Sequence, residues 1–460
     1  MRALSAVDHV LLLLENRKQP MNVGGLCIFE LPKDAPPTFL YDLAKQAKTS
    51  PIKPTFPFNQ ILHKMAFWRA NDDFDISHHL RHIALPYPAD IKELMAYISR
   101  EQSHLMDRSC PLWEFHLIDG LAPEKEGAPH RFAIWLKVHH AMTDGISAMR
   151  LIQISLSPNP DTRMTKPFWS LSNINKNQFE ELIPKHKSLT AIIKEQLGGV
   201  YPVGREILKV LQKKWQGDPN VVSTFDAPKS IFNQPIGSSR TLLARSFDKN
   251  RFVRLAKHFG ATTNDVILAV CSGALRHYLI SQNALPKKPL IAFVPVSLRR
   301  DKSVAGNQIS FLLTNLGTHQ ATPEARLTTI KNSIDDGKQR FGRLSQSQVV
   351  SYSALTYGWA GINLATAIAP TRQAFNLIIS NVPAEKNPLY LNGAKLTNIY
   401  PASVLFDGQA LNITFINHLN TIDFGIVACP TTLPNIDTLP NLINEELEVF
   451  EKLLNDNPKT

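Results

Sequence analysis

The strand-like run Arg131 to Val138 constrains this chain most, because it leads without a break into His139-His140-Ala141-Met142-Thr143-Asp144-Gly145. Side chains alternate along a strand. Phe132, Ile134, Leu136 and Val138 therefore share an apolar face, and His140 continues it if strand geometry persists. His139 falls in step with Ala133, Trp135 and Lys137. A histidine at the end of a buried face can look into a dry pocket, where a hydroxyl proton has few other acceptors. The spacing reads as an acyl-transfer site with His140 as general base. His139 then supports the loop through a hydrogen bond or packing.

The residues that follow carry a plainer reading as well. Thr143 and Asp144 are both good helix N-caps, and Ile146, Met149, Leu151 and Ile152 recur at roughly helical spacing. On these residues alone Asp144 is as readily a cap as a functional acid. An arbitrary His-His pair is more often a satisfied pair at a strand end. Metal binding by His140 and Asp144 lacks a third ligand at familiar zinc spacing.

The whole motif, His-His-x-x-x-Asp-Gly, resembles the signature of the CoA-dependent acyltransferase superfamily, which includes chloramphenicol acetyltransferase and peptide-synthetase condensation domains. The likeness extends along the chain to the bacterial wax ester synthase/acyl-CoA:diacylglycerol acyltransferase family. Asp8 to Gly25 is similar to that family's opening, Asp107 to Trp113 to its Pro-Leu-Trp block and Asn264-Asp265-Val266 to its Asn-Asp block. Val294 to Arg299 resembles its Ser-Leu-Arg region, and Ser380-Asn381-Val382-Pro383 the start of a block that continues Gly-Pro in the family. Here Ala384-Glu385 stands instead, which alters the local turn.

The resemblance implies specific roles. His140 is the base, His139 and Asp144 complete the motif with Gly145, and Asp144 points away from substrate to an arginine. Arg299 follows an apolar strand, Leu290 to Val296, and a buried arginine needs an anionic partner; Arg300 is the alternative. Asp144→Asn and Arg299→Ala are each expected to lower activity by misplacing the loop. Asn264, Glu15, Ser380 and Asn381 are candidate substrate-binding residues. Their plainer readings are helix start for Asn264, charged helix face for Glu15 and strand end for Ser380 and Asn381. Pro111-Leu112-Trp113 reads as a core anchor. His78-His79-Leu80-Arg81-His82 lacks a following Asp-Gly; it reads as surface or packing histidines, with His78 and His82 on a shared helix face.

Composition sets the outer bounds. A chain of 460 residues with 43% hydrophobic content has room for two or three domains. No run of roughly 18 apolar residues predicts a membrane span, and the N-terminus lacks the pattern of a signal peptide. Cys27, Cys110, Cys271 and Cys429 are scattered, which suits a reducing compartment; Cys110 reads as a small buried residue. The formal charge of +11 fits an anionic ligand or membrane. No motif favours nucleic acid.

The basic stretch Pro184 to Trp215 interleaves lysines with Leu, Ile and Val. Gly198-Gly199 and Pro202 divide it into two expected helices, which lie in a membrane interface or pack as a linker. It separates residues 1–185, carrying the motif, from residues 241–460, with 186–240 as the basic helical linker. Ala374 to Ile379, Leu411 to Phe415 and Ile422 to Ala428 read as strands, and Glu445 to Leu454 as a closing helix. The expected fold class is α/β. The resemblance implies two chloramphenicol acetyltransferase-like domains with an interdomain tunnel.

The resemblance further implies a long-chain acyl-CoA as substrate rather than cofactor, a fatty alcohol or diacylglycerol as acceptor, and no metal. It implies a cytoplasmic protein peripherally associated with the inner membrane or lipid inclusions. Two alternatives stand beside it: an acyltransferase for another alcohol or an amine, and a non-catalytic lipid-surface binding protein.

Overall fold

The computed structural model describes residues 1–143, 145–163, 165–173, 200–218, 220–297, 309–345, 348–349, 351–356 and 373–456. In the first part of the chain lie β1 (Arg2–Ala3), α1 (Ala6–Leu14), β2 (Asn22–Glu30), α2 (Phe39–Thr49), β3 (Gln60–His63), β4 (Phe67–Ala70) and β5 (Leu80–Ala84). α3 (Ile91–Ser103), β6 (Trp113–Leu121), β7 (Arg131–His139), α4 (Gly145–Ser155) and α5 (Val200–Trp215) follow. Next come β8 (Thr241–Asp248), α6 (Lys249–Phe259), α7 (Thr263–Ser281), β9 (Ile291–Ser297), β10 (Ile309–Asn315) and α8 (Pro323–Gly342). The described chain closes with β11 (Leu377–Val382), β12 (Tyr390–Leu391), β13 (Ala394–Ala402), β14 (Leu411–His418), β15 (Thr421–Ala428) and α9 (Leu439–Asp456).

The strands form two mixed six-stranded sheets and a small three-stranded one, β1-β4-β3. The first large sheet runs β12-β13-β2-β7-β6-β5, the second β10-β9-β11-β14-β15-β8. This is a two-domain α/β molecule. The domains are not simple halves of the sequence, because β12 and β13 cross from the second half and complete the first sheet. β13 pairs antiparallel with β2, setting Tyr400 opposite Leu26 and Ala402 opposite Gly24. The sheets meet closely where β15 passes β13: a Cβ on Gly425 would stand 1.9 Å from the Pro401 carbonyl oxygen.

β7 lies between β2 and β6, and both its faces are buried. Phe132, Ile134, Leu136 and Val138 pack into one apolar cluster. Ala133 and Trp135 pack into the larger core on the other side. The Trp135 ring lies over Gly24, where a Cβ would come within 2.1 Å of it.

Several elements differ from the sequence reading for identifiable reasons. β11 begins three residues after the expected Ala374. Asn376, fully buried, uses its side-chain oxygen to accept the Ile291 N–H at 2.8 Å and donates its amide to the Asn233 side chain at 2.7 Å. Apolar patterning does not reveal such a buried polar hub. β14 and β15 extend to a two-residue turn, Leu419-Asn420, with Leu419 at φ +47°. His78 and His82 share no helix: a short 3-10 turn ends at His78, and His82 pairs with Leu117 along β5 and β6. His79 is buried, with its ring 4.2 Å from the Trp113 ring.

Of the basic stretch, residues 200–215 are described, as a helix whose first turn contains Pro202. The lysines are committed within the protein. Lys209 meets Glu206 at 2.7 Å, Lys213 meets Asp336 at 2.6 Å and Lys214 meets Asp226 at 2.5 Å. Cys110 is half-exposed rather than buried, and all four cysteines are free.

Candidate active site

β7 delivers the paired histidines but stops at His139. Asn22 of β2 pairs with His139. The His140 N–H then donates to the Met21 carbonyl at 2.8 Å, and the Met142 N–H donates to the His139 carbonyl at 2.9 Å, which closes a turn. His140 therefore stands in the turn, half-buried, not on the extended strand face that alternation assigns it. What separates the two histidines is burial. His139 is fully buried, and its Nδ1 accepts the Ala141 N–H at 3.0 Å. An accepting Nδ1 leaves the ring proton on Nε2, and Nε2 faces Glu15 Oε1 at 3.3 Å.

Glu15 terminates α1 and is itself buried. Its Oε2 accepts two bonds from Arg108, at 3.1 Å from Nε and 2.9 Å from Nη2. Its Oε1 also accepts the Met21 N–H at 3.3 Å. Burial alone would raise this carboxyl, but His139, Arg108 and the Met21 amide outweigh it and hold the group below its ordinary range. Arg108 additionally donates to the Leu12 carbonyl at 2.8 Å, capping the last turn of α1. The motif loop, α1 and the segment before β6 are thus joined through one carboxylate.

Arg108 was not singled out in the sequence. Its signal was its position three residues before the buried Pro-Leu-Trp anchor. Leu112 and Trp113 are fully buried, and Trp113 Nε1 donates to the Phe58 carbonyl at 2.8 Å.

A second polar layer lies under β7. Lys137, fully buried, donates to the His104 carbonyl at 2.9 Å and stands 3.8 Å from Glu114. Glu114 accepts from His116 Nε2 at 3.2 Å, and Tyr97 donates to His116 Nδ1 at 2.8 Å. Arg81 lies 3.4 Å from both Glu114 and Glu101. Burial would raise the Glu114 carboxyl, but His116, Lys137 and Arg81 hold it at about 2. Burial pushes both His116 and Lys137 down. In the close Glu114–Lys137 pair, His116, Lys137 and Arg81 hold the carboxylate ionised, while Glu114, Glu101 and Glu15 support the ammonium against its burial. Glu101, Glu114 and His116 lie close enough to hold a metal ion. With Arg81 and Lys137 among them, the carboxylates already have cationic partners.

Asp144, Arg299 and Arg300 lie outside the described residues. Gly145 opens α4, whose Ala148, Met149, Leu151 and Ile152 are buried. Asn264, half-buried, is the second residue of α7; the cap itself is a Thr262–Asp265 capping box. Ser380 and Asn381 sit within β11, not at its end. Ser380 Oγ lies 2.9 Å from Thr414 Oγ1, which is also 2.9 Å from Ser403 Oγ.

A two-domain α/β fold in which a central strand ends in a buried and a half-buried histidine has close relatives. Residues 4–267 match the wax ester synthase/diacylglycerol acyltransferase catalytic domain, and residues 305–451 match the C-terminal domain of the same family. O-acyltransferase WSD of Acinetobacter baylyi is 46% identical over 99% of this chain and 98% of its own. A Mycobacterium tuberculosis protein named as a probable diacylglycerol O-acyltransferase is 37% identical over 97% of this chain and 98% of its own. The wax ester synthase/diacylglycerol acyltransferase of Marinobacter aquaeolei superposes with a TM-score of 0.80 at 36% identity, over 99% of this chain and all of the other. The first condensation domain of the calcium-dependent antibiotic synthetase shares the fold, with a TM-score of 0.57 at 14% identity over 100% and 97% of the two chains.

The molecule is therefore an acyltransferase with the two-domain fold common to these enzymes. It belongs to the wax ester synthase/diacylglycerol acyltransferase family.

Proposed function

We propose that the protein transfers a long-chain acyl group from CoA to the hydroxyl of a fatty alcohol or a diacylglycerol, with His140 as general base. The observation that carries the assignment of the base is the unequal burial of the two histidines. The His139 ring is enclosed: its Nδ1 accepts the Ala141 N–H and its Nε2 lies 3.3 Å from Glu15 Oε1. His140, in the turn beyond the strand, retains accessible surface.

In the proposed reaction the His140 imidazole takes the acceptor's hydroxyl proton as that oxygen attacks the thioester carbonyl. The C–O bond forms, the C–S bond breaks, and the imidazolium returns the proton to the CoA thiolate. The products are an ester and free CoA. Holding both substrates together supplies much of the rate, and a positioned base contributes about 10²–10⁴-fold. Asp144 and Arg299 are proposed to secure the motif loop, and Asn264, Ser380 and Asn381 to contact substrate. The names of the relatives above support acyl transfer to oxygen and both acceptor classes.

Such acceptors are poorly soluble, and among the described residues no helix is long and apolar enough to cross a membrane. We place the enzyme peripherally at a membrane or lipid-inclusion surface. The test is purified protein with palmitoyl-CoA and either hexadecanol or a diacylglycerol, following free thiol and neutral lipid together. Wild type should form ester with both acceptors, and His140→Ala should lose about 10²-fold or more. Ester formation that survives in His140→Ala refutes the base. Absence of product with every acceptor refutes the activity.

A further inference from the structure

We infer that the outer face of α1, together with the tip of the β3–β4 hairpin, is where the enzyme docks on an anionic phospholipid surface. This deepens the peripheral placement proposed above and rests on it.

The inner face of α1 is fully used. Leu11 and Leu12 pack with Trp68 of β4 and with Ala141 of the motif loop. The outer face is apolar yet bare. Val7, Val10 and Leu13 recur every three residues along one stripe, and Leu13 is 76% exposed. A nine-residue helix that is apolar on both sides is unusual for a surface element, which ordinarily turns charge outward. The hairpin continues the patch. Met65 and Phe67 are both exposed at its turn end, while Trp68 points inward. The two parts are fastened together: Arg108 reaches the Leu12 carbonyl at 2.8 Å and Met65 Sδ at 3.9 Å.

Charge selects the occupant. Arg2, Lys64, Arg17 and Lys18 are exposed around this apolar strip. None of the four has an acidic partner at ion-pair distance among the described residues. The nearby acids are engaged elsewhere, the exposed Asp107 by the Ser109 N–H and hydroxyl. Asp8 accepts the Ser5 N–H in the capping box, and Glu15 is enclosed by Arg108 and His139. Asp72 and Asp73 follow the opposite end of β4. An apolar stripe rimmed by uncompensated cations fits a surface of acyl chains beneath anionic headgroups. α5 is the contrasting case. Leu208, Leu211 and Trp215 are exposed there too, but Lys209, Lys213 and Lys214 are each paired to acids of the protein.

Position adds a consequence. Only the thickness of α1 separates this face from Ala141, next to His140. Docking here brings the motif loop to the side from which water-insoluble acceptors arrive.

The test is flotation of the full-length protein with vesicles of phosphatidylcholine, with and without equal parts phosphatidylglycerol. Wild type should bind the phosphatidylglycerol vesicles and bind phosphatidylcholine alone far more weakly. Val10→Glu with Leu13→Glu should weaken binding at least about tenfold by removing insertable area and adding repulsion. Arg17→Glu with Lys18→Glu should do likewise through charge. Phe67→Ser, on the separate hairpin, covers the case in which the α1 variants fail to fold. Leu211→Glu with Trp215→Glu on α5 should bind as wild type does. Unchanged binding of the α1 and hairpin variants, or loss in the α5 variant instead, overturns the assignment. So does a wild-type dimer that Leu13→Glu dissociates while vesicle binding persists, since the face would then belong to a second copy. Ester formation from acceptor dispersed in neutral detergent is measured in parallel. Its retention alongside absent vesicle binding sinks the docking face and leaves the proposed reaction standing; its absence strikes at the reaction itself.

Discussion

At the scale of single residues, Glu15 decides how the histidine pair is divided. Its carboxylate receives Arg108 on one oxygen and faces the His139 ring with the other. Removing this carboxylate leaves the one-third-exposed Arg108 and the buried His139 without their acidic partner, at a cost of about 1–3 kcal/mol. Glu15→Gln keeps the shape but loses the charge, so both stability and kcat should fall, with KM for acyl-CoA little changed. The sign of the pH dependence follows from the depressed carboxyl. Its contribution is complete above the ordinary glutamate pKa of 4.5 and disappears as pH falls through the lower folded value. Acid titration of the two proteins checks this: the wild type should lose more stability over that fall than Glu15→Gln. Equal losses would mean that the carboxylate is not held by these partners. The sequence offered Glu15 as a possible substrate contact or a charged helix face, because the residues that claim it, Arg108 and His139, are 93 and 124 positions away.

At the scale of elements, β7 shows what patterning can reveal. Its span and its Phe132-to-Val138 face were legible, because alternation is a local property of strands. The fate of His140 was not, since the strand ends one residue earlier, where Met21 and Leu112 take the next backbone bonds. Nor was the polar layer under Lys137 legible, because β5, β6 and α3 bring its members from separate stretches. That layer makes its own prediction. Glu114 is held at about 2 against an ordinary 4.5, a difference worth about 3 kcal/mol. Glu114→Gln should cost about that much at neutral pH. Because the folded value is depressed, the gap between wild type and variant should close as pH falls from 4.5 toward 2. Chemical denaturation at stepped pH measures it, and a gap that stays constant contradicts the assignment.

At the scale of the whole molecule, the halves are interleaved. The motif-bearing sheet needs β13, which comes from the C-terminal half and covers the β2 edge from Gly24 to Glu30. Residues 1–240 expressed alone should therefore lack a cooperative unfolding transition and aggregate through the open edge. Co-expression with residues 241–460 should recover soluble protein. A cooperative transition in the isolated fragment would contradict this. The two α/β lobes were legible from alternating strand and helix signals. The exchange was not, because β13 resembles any other strand until its partner is known.

The division of labour between the histidines is the central claim, and one comparison tests it most directly. Single-turnover release of CoA is followed with His140→Ala and wild type at matched, saturating palmitoyl-CoA and hexadecanol, with acyl-CoA binding measured on the same preparations. The account predicts that the variant binds acyl-CoA as wild type does but releases CoA at least about 10²-fold more slowly. Near-wild-type release by folded His140→Ala would contradict it.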